Sequence, residues 1–347
     1  MKVRVGVIGL GMGRHHARAF HESDHAELVA LCDLNPTLLK DYHGLYPQAA
    51  TYTQYEEMLA EADLDAVSVA VPNFLHAPVS IAAMQAGAHV LVEKPMAMNA
   101  VEAAEMLRVS REMNCKLMVH FNYRFSPPSL FLKRYIEDGH LGDVYYARTR
   151  WLRARGIPKL GGWFCQKRLS GGGPLIDLGV HRLDLAMWLM GYPRAVSVSA
   201  SAYNLLGNDL AARSGAPYDV EDLATALIRL ENGATLNLEV SWAGGTEKRE
   251  DMLTAIYGTG GAAIQRNVDE GYEFEALALR DVDGALVEIT PEGIPHECPS
   301  AVDHFIDCIV NDRTPEANAE HGLEMMRIID AIYCSAAEKR EIRLDQS

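Results

Sequence analysis

A glycine loop at the end of a buried strand constrains this chain more than any other feature. Residues 2–10 (KVRVGVIGL) form an apolar run that stops at Gly9-Leu10-Gly11-Met12-Gly13, and an amphipathic stretch, residues 14–21, follows. A continuous apolar strand is buried on both faces, and such strands belong to parallel sheets covered by helices. Glycines between strand and helix let the backbone approach a pyrophosphate, and the helix N-terminus faces its negative charge. Asp33 ends the next apolar run. A carboxylate there accepts hydrogen bonds from the adenosine ribose hydroxyls and repels a 2′-phosphate, which favours NAD over NADP. The loop departs from the G-x-G-x-x-G pattern: its third glycine comes one residue early, and Arg14 stands where the pattern has glycine.

The alternation continues. Residues 27–33, 66–71 (AVSVAV), 89–93 (HVLVE) and 116–121 (KLMVHF) are further buried-strand runs, separated by helical stretches at 36–45, 55–61, 78–86 and 101–113. Right-handed crossovers turn this order into a doubly wound parallel sheet, an α/β Rossmann domain over residues 1–121. Ser126-Pro127-Pro128 breaks the chain just beyond. From there alternating segments at 144–152, 196–203, 223–230 and 235–242 read as strands, with others at 252–257, 261–267, 272–279 and 285–289. Asn232-Gly233 supplies a hairpin turn, because glycine and asparagine accept positive φ cheaply. Helices at 175–190, 301–310 and 321–338 flank these strands. Residues 122–347 therefore read as an α+β domain with a large, mostly antiparallel sheet, its final helix able to pack back on the first domain.

Composition narrows the partners. A formal net charge of −15 argues against a nucleic-acid backbone or an anionic membrane. No apolar run approaches the roughly 18 residues that suggest a spanning helix, and the N-terminus lacks the three regions of a signal peptide. The six cysteines are scattered, with no CxxC and no histidine at zinc-ligand spacing. They read as reduced thiols of a cytoplasmic protein without a metal site.

Two further motifs carry chemistry. Glu93-Lys94-Pro95 follows the strand HVLVE, so Lys94 leaves the sheet at its carboxyl edge, where ligands bind in such folds. In Gly171-Gly172-Gly173-Pro174-Leu175-Ile176-Asp177-Leu178-Gly179-Val180-His181, Pro174 suits a first helical turn. Asp177 and His181, four apart, then stack on one helical face. A carboxylate beside an imidazole orients it and stabilises its protonated form, so His181 is a candidate general base. Arg153, Arg155 and Trp163 precede this helix. They are candidate substrate contacts, the arginines for a carboxylate, a phosphate or the cofactor's phosphates, and the indole for stacking on a substrate ring or on the nicotinamide.

With these motifs in this order, the chain resembles the Gfo/Idh/MocA family of glucose–fructose oxidoreductase, inositol dehydrogenase and rhizopine catabolism protein. The matching residues are Gly9 to Gly13 with His16, Asp33, Val71-Pro72-Asn73 with His76, Glu93-Lys94-Pro95, Gly171 to His181 with Asp184, and the late glycine turn Tyr257-Gly258-Thr259-Gly260-Gly261. The resemblance covers nearly the whole chain. It implies NAD-dependent interconversion of a secondary alcohol and a ketone on a sugar or cyclic polyol. On that pattern His181 takes the hydroxyl proton, Lys94 hydrogen-bonds the reacting oxygen, and Asp177 orients His181 or binds a neighbouring hydroxyl. Gly9, Gly11, Met12 and Gly13 hold the cofactor phosphates, and Val71, Pro72, Asn73 and His76 line a cofactor loop. Glu93 reaches toward the nicotinamide ribose, while Asn122 and Tyr123 face cofactor or substrate. A homodimer or homotetramer is also implied. Two other functions fit the same residues: a glycoside hydrolase or lyase that oxidises only transiently, with no net NADH, and a non-catalytic NAD-binding sensor. The joint presence of Lys94, Asp177 and His181 speaks against the sensor.

Overall fold

The computed structural model describes residues 2–290 and 298–344. The chain divides into two compact units, Met1–Phe121 with Pro299–Met326, and Asn122–Cys298 with Arg327–Ser347.

In the first unit six strands, β1 (Val3–Ile8), β2 (Ala26–Cys32), β3 (Ala50–Tyr52), β4 (Ala66–Val69), β5 (His89–Val92) and β6 (Leu117–Val119), alternate with helices α1 (Gly13–Glu22), α2 (Pro36–Leu45), α3 (Tyr55–Glu61), α4 (His76–Gln85) and α5 (Ala100–Glu112). All pairs are parallel, in the order β3-β2-β1-β4-β5-β6. The order reverses between β1 and β4, and the crevice at the strands' carboxyl ends there is the ligand site of doubly wound sheets. Val5, Val7 and Ile8 of β1, and Val67 and Val69 of β4, are buried, as their unbroken apolar runs require. Sequence reasoning passes over β3, whose three residues are exposed or half-buried and show no pattern.

The second unit is built on a nine-stranded sheet. Its strands are β7 (Val144–Arg153), β8 (Ala195–Tyr203), β9 (Leu223–Leu230), β10 (Thr235–Ser241), β11 (Glu250–Gly258), β12 (Gly261–Asn267), β13 (Phe274–Val282), β14 (Ala285–Ile289) and β15 (Ile342–Arg343). They run in the order β14-β13-β12-β11-β7-β10-β9-β8-β15. Every pair is antiparallel except β7 with β10. The Pro127-Pro128 pair, read above as a break, opens helix α6 (Pro127–Glu137). A proline's missing N–H costs nothing in a first helical turn, where those donors have no intrahelical partner. Short α7 (Lys167–Ser170) is followed by the turn carrying Asp177, then by α8 (Val180–Leu189); α9 (Leu205–Ser214) was not foreseen. Its Leu205, Leu206 and Leu210 are exposed, so no apolar stripe marks it.

Two helices close the chain, α10 (Ala301–Val310) and α11 (Ala319–Glu338). The sequence reading has a second domain of residues 122–347 whose final helix is able to pack back on the first; α10, and α11 as far as Met326, group with the first unit. The capping box of Ser300 and Asp303 starts α10, which buries Val302, Phe305 and Ile306 and packs on α1, β1 and β5. The backbone N–H of Val119 donates to Ala317 at 2.9 Å. Gly322 is required there, since a Cβ would lie 2.5 Å from Met96 Sδ. Among the described residues no helix is long and apolar enough to cross a membrane.

Asp184, one of the residues that carry the family resemblance, is structural. It sits with Arg124 in the second unit, both fully buried, and Arg124 Nε donates to Asp184 Oδ2 at 2.9 Å while Tyr192 adds its hydroxyl. Asp184→Ala leaves the guanidinium without its counter-charge, so a loss of about 3–5 kcal/mol is expected in urea unfolding. An unchanged midpoint would show that Arg124 finds another partner.

Candidate active site

In the first unit the glycine loop leaves the carboxyl end of β1. Gly9 has φ +88°, and a Cβ there would lie 2.4 Å from the Ala70 carbonyl oxygen. At Gly13 a Cβ would lie 2.9 Å from Val7 Cγ1, so this glycine sets the close approach of α1 to the sheet. At Gly11 a Cβ would meet nothing within 4 Å. The shortened loop therefore retains all three glycine roles: tight turn, open approach and helix packing. Met12 and Arg14 are exposed, the first turn of α1 has no acidic residue, and Met12 supplies no side-chain cap. An anion fits the N–H groups left there.

Asp33 anchors this loop as well as facing it. Its Oδ2 accepts from the Leu10 N–H at 2.7 Å and its Oδ1 from the Asn35 N–H at 2.8 Å, and it remains half-exposed. Across the crevice, Val71 and Pro72 are half-buried, and Asn73 is buried at the start of a short 3-10 turn. His76 is buried, its ring nitrogens 2.6 Å from the Pro95 carbonyl and 2.8 Å from that of Val71, so it ties two crevice loops together.

Glu93 turns inward, away from the ribose contact expected of it. Only 8% exposed, its Oε1 lies 3.0 Å from both His16 Nε2 and His120 Nδ1, and its Oε2 accepts from the Lys94 N–H at 3.1 Å. Burial favours the neutral acid, but the two histidines outweigh it and hold the carboxyl well below the usual range. Burial and His120 lower the pKa of His16, and Ser68 Oγ meets its other nitrogen at 2.6 Å. Among the described residues these three ligand atoms alone lie close enough together to hold a metal ion, and none of them is a cysteine. In this arrangement they satisfy one another. Lys94 is half-buried, and the Lys94–Pro95 peptide bond is cis.

In the second unit the predicted pair lies on a broken helix. Residues Leu175–Gly179 form a π-turn, and only from Val180 does the α-helix run on, so Asp177 and His181 lie on consecutive helical elements and not within a single α-helix. Asp177 Oδ2 accepts from the indole N–H of the fully buried Trp242 at 3.0 Å. The His181 ring is edge-on to Tyr123 at 5.1 Å and tilted to Trp151 at 5.8 Å. Below them Arg182 is wholly buried, 4.4 Å from the Tyr123 centroid and 4.7 Å from that of Phe274, with NH1 donating to Gln265 at 3.0 Å. Burial lowers its pKa.

The candidate substrate contacts part company. Arg153 joins a polar chain: its Nε donates to Glu250 Oε1 at 2.8 Å and its NH2 to the Tyr272 hydroxyl at 2.8 Å, while Trp151 donates to Glu250 Oε2 at 2.7 Å. Burial opposes its charge, but Glu250, Tyr272 and Asp177 outweigh this and raise its pKa. Arg155 and Asn122 are exposed. Trp163 stacks on Phe164 at 3.8 Å. Trp151, Trp242 and Glu250 were missed. Trp151 and Trp242 lie in runs read only for alternation, 144–152 and 235–242, and Glu250 lies just ahead of the run 252–257.

Comparison with known proteins agrees with both halves. Residues 3–121 match the profile described as "Oxidoreductase family, NAD-binding Rossmann fold", and residues 133–344 that described as "Oxidoreductase family, C-terminal alpha/beta domain", both under Gfo/Idh/MocA. A D-glucoside 3-dehydrogenase of Escherichia coli (strain K12) is 31% identical, with 99% of this chain and 97% of that one aligned. An inositol 2-dehydrogenase of Rhizobium meliloti (strain 1021) is 28% identical over 99% and 100% of the two chains. A solved levoglucosan dehydrogenase, in complex with NADH and L-sorbose, has a TM-score of 0.86 at 25% identity and covers 99% of both chains.

Proposed function

The chain belongs to the Gfo/Idh/MocA oxidoreductase family, and on that premise we propose that it interconverts a secondary alcohol and a ketone on a sugar, sugar derivative or cyclic polyol by NAD-dependent hydride transfer. The observation that carries the reading is the Asp177–Trp242 hydrogen bond beside a His181 ring framed by Tyr123 and Trp151. A polyhydroxylated ring presents C–H faces to aromatic rings and hydroxyls to a carboxylate and a base. Bound NAD supplies the hydride acceptor. His181 accepts the hydroxyl proton as the carbon is oxidised, and Lys94 donates a hydrogen bond to the oxygen as its charge develops. Asp177, fixed by Trp242, binds a neighbouring hydroxyl or steadies the imidazolium. Gly11 and the start of α1 suit the pyrophosphate, and Asp33 favours NAD by opposing a 2′-phosphate.

Absorbance near 340 nm tests this with a panel of glycosides, aldoses and inositols. Steady NADH formation is the expected result. Product without net NADH would move the reading to redox-neutral cleavage, and no turnover across the panel would overturn it. Trp242→Phe keeps a ring but removes the donor to Asp177. With a charge-assisted hydrogen bond worth about 1.5–3 kcal/mol, kcat/KM should fall about tenfold or more with NAD affinity unchanged. A parent-like kcat/KM would detach Asp177 from the reaction.

A further inference from the structure

The run Ser170-Gly171-Gly172-Gly173-Pro174 leads into the turn bearing Asp177, and its glycines have a specific cause. A Cβ at Gly172 would lie 1.8 Å from the Tyr333 hydroxyl oxygen, and one at Gly173 would lie 2.0 Å from the Glu221 carbonyl oxygen. Through this gap a single buried carboxylate reaches the turn. Glu221 Oε2 accepts from the Gly173 N–H at 2.9 Å, and Glu221 Oε1 accepts from the Leu175 N–H at 3.0 Å and from the Tyr333 hydroxyl at 3.0 Å. The Tyr218 hydroxyl fixes the Glu221 carbonyl from the other side at 3.2 Å. No side chain of the turn itself caps it. The cap is therefore non-local: Glu221 comes from the segment before β9, Tyr333 from α11, and both converge on the first amides of the turn.

We propose that Glu221, steadied by Tyr333, is a positioning residue for the reaction: it clamps the amides of Gly173 and Leu175 and so fixes the turn that presents Asp177 and starts the helix bearing His181. The proposal rests on the catalytic reading of Asp177 and His181. The carboxylate touches backbone only, so it acts through the pair. Glutamine cannot replace it, because a side-chain NH2 group would face one of the two amide donors.

The test uses the full chain with NAD. Glu221→Gln is expected to speed amide exchange in the peptide spanning residues 173–181 about tenfold or more, with exchange in β9 and β10 unchanged. It should lower kcat about tenfold with the NAD dissociation constant within about twofold of the parent. Tyr333→Phe, which removes one hydroxyl and keeps the ring, should give a smaller change in the same direction. In an Asp177→Asn background Glu221→Gln should add little further loss of kcat, since coupled residues are not additive. Unchanged exchange at 173–181, or full additivity with Asp177→Asn, overturns the proposal. The exchange measurement needs no turnover, so it judges the clamp even if His181 proves not to be the base.

Discussion

Replacing His181 by alanine is expected to lower kcat by about 10²-fold or more, with NAD binding nearly unchanged. The ring stands at the start of α8 with Tyr123 and Trp151 against it, and no other histidine contacts either of these rings among the described residues. Alanine therefore removes the proposed proton acceptor without an evident substitute, while the glycine loop and Asp33, carried by the first unit, are untouched. Single-turnover reduction of NAD at 340 nm measures the loss, and protein fluorescence during NAD titration measures binding. Full activity in the variant would eliminate His181 as the base. A loss of NAD affinity equal to the loss of rate would make it a binding residue instead.

Asp33→Ala is expected to weaken NAD binding by about ten- to a hundredfold, the size of one lost charge-assisted hydrogen bond. Two effects combine. The ribose loses its proposed acceptor, and the loop loses the anchor at the Leu10 N–H, held at 2.7 Å. NADP escapes part of this, because the variant no longer repels a 2′-phosphate, so the ratio of the two dissociation constants should move toward NADP. Titration with both cofactors checks it. If the parent protein already binds NADP more tightly than NAD, Asp33 does not set the preference.

The first unit was legible because its signals are local. Unbroken apolar runs report a two-sided burial, and Asp33 and Lys94 stand at strand ends whatever the tertiary details. The strands of the second sheet could be read for the same reason, from alternation along each one. What escaped reading is non-local. Trp242 and Asp177 meet across 65 residues, and Tyr333 and Glu221 across 112. The Asp177/His181 spacing presumed an α-helix, and nothing in Leu175–Gly179 itself announces a π-turn; amides held from outside the helix accompany it. The family resemblance implies a cofactor contact for Glu93, but His16 and His120, on other elements, hold its carboxylate in the interior.

The division of the chain bears on how it is made. The cofactor-binding unit is finished by Pro299–Met326, and the sheet unit by residues that follow Arg327. At the centre of the nine-stranded sheet, β7 lies between β10 and β11, both synthesised well after it. On a ribosome the nascent chain therefore exposes the flank of α1, β1 and β5 until Ala301–Val310, which covers it, has emerged. Domains usually fold as units during synthesis, N-terminal first. Here neither unit can close until residues beyond Pro299 are made, and the edges of β7 stay unpaired until β10 and β11 follow it.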